Sequence, residues 1–240
     1  MRTFSITDVG QKREINQDYV YCNDTSVGTL PNLFIVADGM GGHKAGDYAS
    51  KFCVEEIVKL INESSGKTVI GMIESAVART NEQMIKQASE QSSLEGMGTT
   101  LVIATIMDDL LYVANIGDSR LYLISDTIKQ VTEDHSLVEE MIKTGELRRD
   151  EARFHPKKNV ITRAVGTSSS VIPDYFEVNV SKGDIILICS DGLSNMVEDN
   201  EMYEIIKKYE TDLETAGNEL VKLANDNGGK DNIAIILIVI

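Results

Sequence analysis

Two β-branched apolar runs, Thr99 to Met107 and Leu110 to Ala114, are separated only by the pair Asp108-Asp109. A join that short leaves no room for a crossover, so the two strands form an antiparallel hairpin. Further runs of the same kind predict strands at Leu33 to Ala37, Leu121 to Ile124, Asp184 to Cys189 and Ile233 to Ile240. The last run is too short to span a bilayer and suits a buried strand.

Helical periodicity is confined to other stretches. Ala45, Ala49, Phe52/Cys53, Ile57 and Leu60/Ile61 recur at three- and four-residue steps, as do Val69, Ile73, Ala76/Val77, Thr80, Met84 and Ala88. These two helices are consecutive and are expected to pair antiparallel. Shorter amphipathic stretches run from Leu137 to Ile142, Met202 to Tyr209 and Leu213 to Ala224. Strands come in blocks and helices come in blocks, which predicts an α+β fold rather than an alternating parallel one. No repeat or Pro/Gly-rich linker divides the 240 residues, so residues 1–240 read as a single domain.

Charge narrows the partners. The chain carries 23 Lys and Arg against 38 Asp and Glu, a net charge of −15. That argues against nucleic acid or an anionic membrane as the main partner and suits a protein that gathers cations. Three scattered cysteines, Cys22, Cys53 and Cys189, form no CxxC pair. With no signal-peptide pattern at the N-terminus, they suggest a reducing, cytoplasmic setting. No self-association stripe stands out, so a monomer is expected. One segment departs from the acidic background: residues 143–163 hold seven Lys and Arg against three carboxylates. We read an exposed flap over about 144–166. It is either a solvated segment held by its own ion pairs or a basic lip that steers an anionic substrate.

Four aspartates sit at strand ends: Asp38 after Phe34-Ile-Val-Ala37, Asp118 after Tyr112-Val-Ala-Asn-Ile-Gly117, Asp191 after Ile186-Leu-Ile-Cys-Ser190, and Asp231 before the final strand. A single Asp-Gly after a strand is ordinarily a turn. Four such sites, with no Cys or His in ligand spacing, suggest an oxygen-only cluster for hard divalent ions, Mg²⁺ or Mn²⁺. Asp18 lies five residues after Arg13. Arg13 reads either as a surface ion-pair partner or as a fork for bidentate phosphate capture.

Arg13-Glu-Ile-Asn-Gln-Asp18, Ala37-Asp-Gly-Met-Gly-Gly42, Gly96-Met-Gly-Thr-Thr100, Asn115-Ile-Gly-Asp-Ser-Arg120, Glu133-Asp-His135, Val160-Ile-Thr-Arg-Ala-Val-Gly166, Ser190-Asp-Gly192 and Lys230-Asp-Asn232 follow one another in order. This ordered set resembles the metal-dependent type 2C protein phosphatases in their compact bacterial form, over about residues 1–240. The resemblance implies a four-layer α-β-β-α sandwich of two antiparallel sheets flanked by helix pairs. It implies a metal-dependent Ser/Thr protein phosphatase acting on phosphoserine and phosphothreonine by in-line attack of a metal-bridging water. By the same resemblance, Asp38 bridges two Mn²⁺ or Mg²⁺ ions, the Gly39 carbonyl completes one site, and Asp191 and Asp231 hold the other. Asp118 with Asp191 would hold a third, weaker ion near the flap. Asp18 would lie behind the ligands, and Arg13 would bind the phosphoryl oxygens. The implied partners are phosphorylated proteins, including a Ser/Thr kinase and its substrates. A catalytically silent phosphoprotein-binding relative is the alternative.

The chain departs from many eukaryotic members at two places. Met40 follows the metal-bridging Asp-Gly where those members have a His, and Gln17 precedes Asp18 where they have a Glu. The leaving-group acid is therefore open, with His43 as one candidate and a helix-start role as its alternative. Asp134 reads as a helix N-cap and His135 as a structural residue beside it. Thr99 and Thr100 read as strand packing, and Cys189 as core.

Overall fold

The computed structural model describes residues 1–42 and 45–240. In chain order the elements are β1 (Arg2–Asp8), β2 (Asp18–Asn23), β3 (Leu33–Met40), α1 (Ala45–Asn62), α2 (Val69–Glu90), β4 (Gly98–Thr99), β5 (Leu101–Met107) and β6 (Leu110–Ile116). They continue with β7 (Arg120–Ile124), β8 (Ile128–Gln130), α3 (Leu137–Lys143), α4 (Arg149–Ala152), β9 (Asp174–Asn179) and β10 (Ile185–Cys189). The last are α5 (Asp191–Ser194), α6 (Asp199–Lys208), α7 (Leu213–Asp226) and β11 (Ile233–Val239).

The strands form two antiparallel sheets. One runs β1-β11-β10-β7-β8, and the other β2-β3-β5-β6-β9 with β4 added beside β3. The expected hairpin joins β5 to β6, pairing Met107 with Leu110, and Asp108 takes a left-handed φ of +55° in its turn. Aspartate tolerates that conformation better than a β-branched residue would.

Side-chain parity builds the layers. In β3, Phe34 and Val36 face the partner sheet, clustering with Val102 and Val113 of their own sheet and with Ile186, Ile188 and Ile236 of the other. The alternate residues Leu33, Ile35 and Ala37 face α1 and α2, packing on Ala49, Cys53, Ile57, Ile73 and Met84. On the other side, Leu187, Cys189, Ile235 and Leu237 pack on α6 and α7 through Met202, Ile206, Leu220 and Ala224. Central strands are therefore buried on both faces. That is why they read as continuous apolar runs and not as the half-polar alternation of an exposed antiparallel sheet. The expected four-layer α-β-β-α sandwich is present.

Helices α1 and α2 run antiparallel: the Tyr48 hydroxyl donates to Gln87 Oε1, and one turn or more further along Gln83 Nε2 donates to Glu56 Oε1. The Thr68 hydroxyl caps α2 by accepting from the Gly71 amide.

Two sequence expectations are corrected. The run from Thr99 to Met107 is not one strand, because it breaks at Thr100 between β4 and β5. Asp134 is not the N-cap of α3. Ser136 is, accepting from Glu139 N, while Asp134 accepts from Arg120 Nε and Nη2 at 3.0 and 2.7 Å.

The segment expected as a flap over about 144–166 is exposed over only part of that length. Most of 144–163 lies on the surface, and Phe154 is 84% exposed. Ala164 and Val165 are buried, however, because Val165 pairs with Thr99. Ion pairs consume most of its cations: Arg148 with Asp150, Arg149 with Glu139, Arg153 with Glu198 and Arg163 with Asp174. Of the two readings of this segment, the one held by ion pairs describes its arginines.

Candidate metal centre

The inner, inter-sheet row of every central strand turns polar at the same end of the sandwich. In β3 the row Phe34, Val36 continues to Asp38, and in β2 Cys22 and Val20 lead back to Asp18, which pairs with Asp38 across the ladder. In β10 Ile186 and Ile188 lead to Ser190, and in β11 Ile236 and Ala234 lead back to Asn232. Thr100 before β5 and Ser119 before β7 complete the plug, their hydroxyls 2.7 Å apart across the two sheets. Strand period alone brings residues from both ends and the middle of the chain to one rim.

Backbone bonds hold this rim rigid. Asp38 N donates to Thr100 Oγ1, and Thr99 Oγ1 donates to the Asp38 carbonyl, both at 2.9 Å. Thr99 and Thr100 therefore do more than the strand packing expected of them: they grip the Asp38 peptide from both sides. The buried Asn232 side chain donates to the carbonyls of Val9 and Ile15 and accepts from Gln17 N, each at 2.9 Å. It thus fastens the loop that carries Arg13. The sequence contained Asn232 within a recognised motif but offered no sign of this clamp. At Gly39, a Cβ would collide with the carbonyls of Gly46 and Gln17, so only glycine lets the three backbones meet.

Asp38, Gly39, Asp118, Asp191 and Asp231 line one cleft of about 270 Å³, with Arg13 at its mouth. Asp18 lies behind them, 6% exposed. Its Oδ2 accepts from the Ser190 hydroxyl at 2.6 Å, and its Oδ1 is buried with no hydrogen-bond partner. Asp191 Oδ1 is orphaned in the same way, while its Oδ2 accepts from Asn195 Nδ2. Arg13 donates to Asp231 Oδ2 at 2.7 Å, so the structure holds it as an ion-pair partner of a proposed ligand. The residues expected to hold metal or phosphate meet here, with Asp18 behind them, and His43 lies outside the described residues.

The electrostatics are those of crowded, dehydrated anions. Burial, with repulsion from Asp191 and Asp231, pushes the Asp18 carboxyl up to about 8 despite the Ser190 hydrogen bond. Burial and the charge of Asp231 push Asp191 up to about 6. Asp38 is raised well above the usual carboxylate range by burial and then by Asp18, Asp191, Asp118 and Asp231. Asp118 is raised by burial and by Asp191. A site that penalises its own charges this heavily is stabilised by a cation. Among the described residues no three His, Cys, Asp or Glu side chains form a ready-made metal cage. The carboxylates line an open cleft instead. Two orphaned buried carboxylate oxygens and a donor set made only of oxygen fit a hard divalent cation and do not fit zinc.

A larger cleft of about 750 Å³ adjoins this one, sharing Asp118 and Asp191 and bounded by the flap. Lys158 of the flap donates to Asn195 Oδ1 at 3.1 Å, so it reaches Asp191 through one intervening amide.

The protein phosphatase 2C family model matches residues 12–233. The chain belongs to the protein phosphatase 2C family. It is similar to the serine/threonine phosphatase stp of Listeria innocua, with 40% identity over 242 residues covering 97% of this chain and 93% of that protein. Among solved structures it is similar to the serine/threonine phosphatase of S. agalactiae, with a TM-score of 0.92 and 32% identity, covering 100% of this chain and 99% of that one. The catalytic domain of the serine/threonine protein phosphatase PstP, solved in complex with two manganese ions, superposes with a TM-score of 0.85 at 32% identity, covering 98% of this chain and 96% of that one. The ordered motifs and the sandwich thus lead to the same family.

Proposed function

We propose that this chain is a Mn²⁺- or Mg²⁺-dependent protein phosphatase that hydrolyses phosphoserine and phosphothreonine on proteins. The observation that carries the reading is the meeting of Asp38, Asp118, Asp191 and Asp231 at one rim, with buried carboxylate oxygens left unpaired. Asp38, the Gly39 carbonyl, Asp191 and Asp231 would hold two ions, and Asp118 with Asp191 a third. When bound, such ions polarise the phosphoryl group and make water a competent nucleophile at neutral pH.

The chain's own residues supply position and charge. Thr99 and Thr100 fix the Asp38 backbone, so its carboxylate is aimed before any ligand arrives. Arg13, 46% exposed in its side chain at the cleft mouth, offers a guanidinium fork to phosphoryl oxygens. Among the described residues, neither Ser190 nor Cys189 competes as a nucleophile. Ser190 is fully buried with its hydroxyl donated to Asp18, and burial raises the Cys189 thiol so that no thiolate forms near neutrality. His135 is buried and already accepts from a backbone amide, so it is not the leaving-group acid.

Residues 1–240 act as one catalytic domain in this reading, with a cytoplasmic setting and a Ser/Thr kinase among its partners. Among the described residues no helix is long and apolar enough to cross a membrane. The test is phosphate release from a phosphothreonine peptide with Mn²⁺, with Mg²⁺ and with chelator, for the natural chain and for Asp38→Asn. Metal-dependent release that disappears in the folded variant supports the reading. Release that survives chelation, or persists in Asp38→Asn, overturns it. Ion binding by calorimetry without any release transfers the weight to a phosphoprotein-binding role.

A further inference from the structure

Asp118 is held differently from Asp18, Asp191 and Asp231. Asp18 takes a hydroxyl from Ser190, Asp191 an amide from Asn195, and Asp231 a guanidinium from Arg13. Among the described residues, no other side chain hydrogen-bonds to the Asp118 carboxylate. Its aim is therefore set by the backbone of the turn between β6 and β7.

That turn is gripped at the residue before it. Gly117 N donates to His135 Nδ1 at 3.0 Å, and His135 N donates back to the Gly117 carbonyl at 2.9 Å. Gly117 sits at φ +101°, and a Cβ there would run into Thr100, so the peptide has little freedom of its own. The rest of His135 is tied elsewhere. Its carbonyl accepts from Thr162 N at 2.8 Å on the returning arm of the flap. Its Nε2 lies 3.1 Å from Asp174 Oδ2, too oblique for an aligned hydrogen bond, and Asp174 is held in turn by Arg163 at 2.6 Å. Burial lowers the ring's pKa and so favours the neutral form, whose Nδ1 can accept a hydrogen bond.

We infer that His135 is a positioning residue for the Asp118 metal ligand, bracketing Gly117 and joining that turn to the flap's returning arm. It touches neither substrate nor ion. It acts by fixing the peptide from which the carboxylate projects, as outer partners of metal ligands do. The inference rests on Asp118 being a ligand, and the test separates the two.

The experiment is calorimetric titration of Mn²⁺ into the full chain and three variants, with folding checked by circular dichroism. Asparagine places an oxygen close to the Nδ1 position and can still accept from Gly117. Glutamine places its polar end near Nε2 and cannot. His135→Gln is expected to weaken the weakest Mn²⁺ site by about tenfold. His135→Asn is expected to leave it within about threefold, although both lose packing and melt at lower temperature. Asp118→Asn is expected to remove that site. If His135→Gln leaves the site unchanged while Asp118→Asn removes it, or if Asn and Gln weaken it equally, the positioning role is wrong. If Asp118→Asn changes nothing, the ligand assignment beneath it is wrong.

Discussion

Replacing Asp18 with Asn should stabilise the metal-free protein and disable the loaded one. Asp18 is 6% exposed, and its carboxyl is raised to about 8 by burial and by Asp191 and Asp231. Unfolded, it ionises near the ordinary aspartate value of about 4. A raised folded value stabilises only below the unfolded pKa, and that contribution is lost as pH climbs from about 4 through about 8. At pH 7 the folded chain must keep a proton that the unfolded chain gives up. The cost is about 1.4 kcal/mol for each of three pH units, or about 4 kcal/mol. Relaxation and water entry reduce it, so a gain of about 2–4 kcal/mol is expected for Asp18→Asn at pH 7. The gain should fade to nothing near pH 4, where the natural side chain is protonated in both states. Urea unfolding in chelator at several pH values from 4 to 8 measures it. Mn²⁺ should reverse the order, because cations favour the ionised aspartate and stabilise the folded state by mass action. The reasoning fails if the variant is the less stable chain at pH 7 in chelator, or if its advantage is the same at pH 4 and pH 7.

Arg13→Ala removes a charge-assisted contact at the cleft mouth and should raise KM for a phosphopeptide by about tenfold with little change in kcat. Steady-state kinetics check this, and an unchanged KM contradicts the phosphate role. Asn232→Ala strips three backbone groups of their buried partners. It should cost about 3 kcal/mol in urea unfolding and raise KM as well, because the loop bearing Arg13 is released.

The strands legible in the sequence were β3, β5, β6, β7, β10 and β11, all interior to their sheets or next to an edge. The four edge strands were not predicted. β1, β2, β8 and β9 expose one margin and much of one face, so Arg2-Thr-Phe-Ser5 or Asp174-Tyr-Phe-Glu177 lacks the apolar density that marks a buried strand. Helices α1, α2, α3, α6 and α7 were found within a few residues because they keep a buried stripe, as at Leu213, Ala216, Leu220 and Ala224 in α7, whereas the four-residue α4 and α5 were not predicted. The flap was legible as a basic excess, but its pairings were not. Arg149 and Glu139 lie ten residues apart, and Arg153 and Glu198 lie on different parts of the chain.

What the sequence determined by itself was local: which runs are strands or helices, and which aspartates end strands. Its ordered motifs also carried a family. Tertiary structure decided how those aspartates relate to one another. Asp18 faces Asp38 because the β2–β3 register puts them opposite, and Ser190 reaches Asp18 from the other sheet across 172 residues of sequence. The same packing decided that Asp134 binds Arg120, that Thr99 and Thr100 grip Asp38, and that His135 brackets Gly117. Periodicity specifies which face a side chain takes. Which partner it meets depends on the order and register of strands distant in sequence, and on the stacking of two sheets whose inner rows end together.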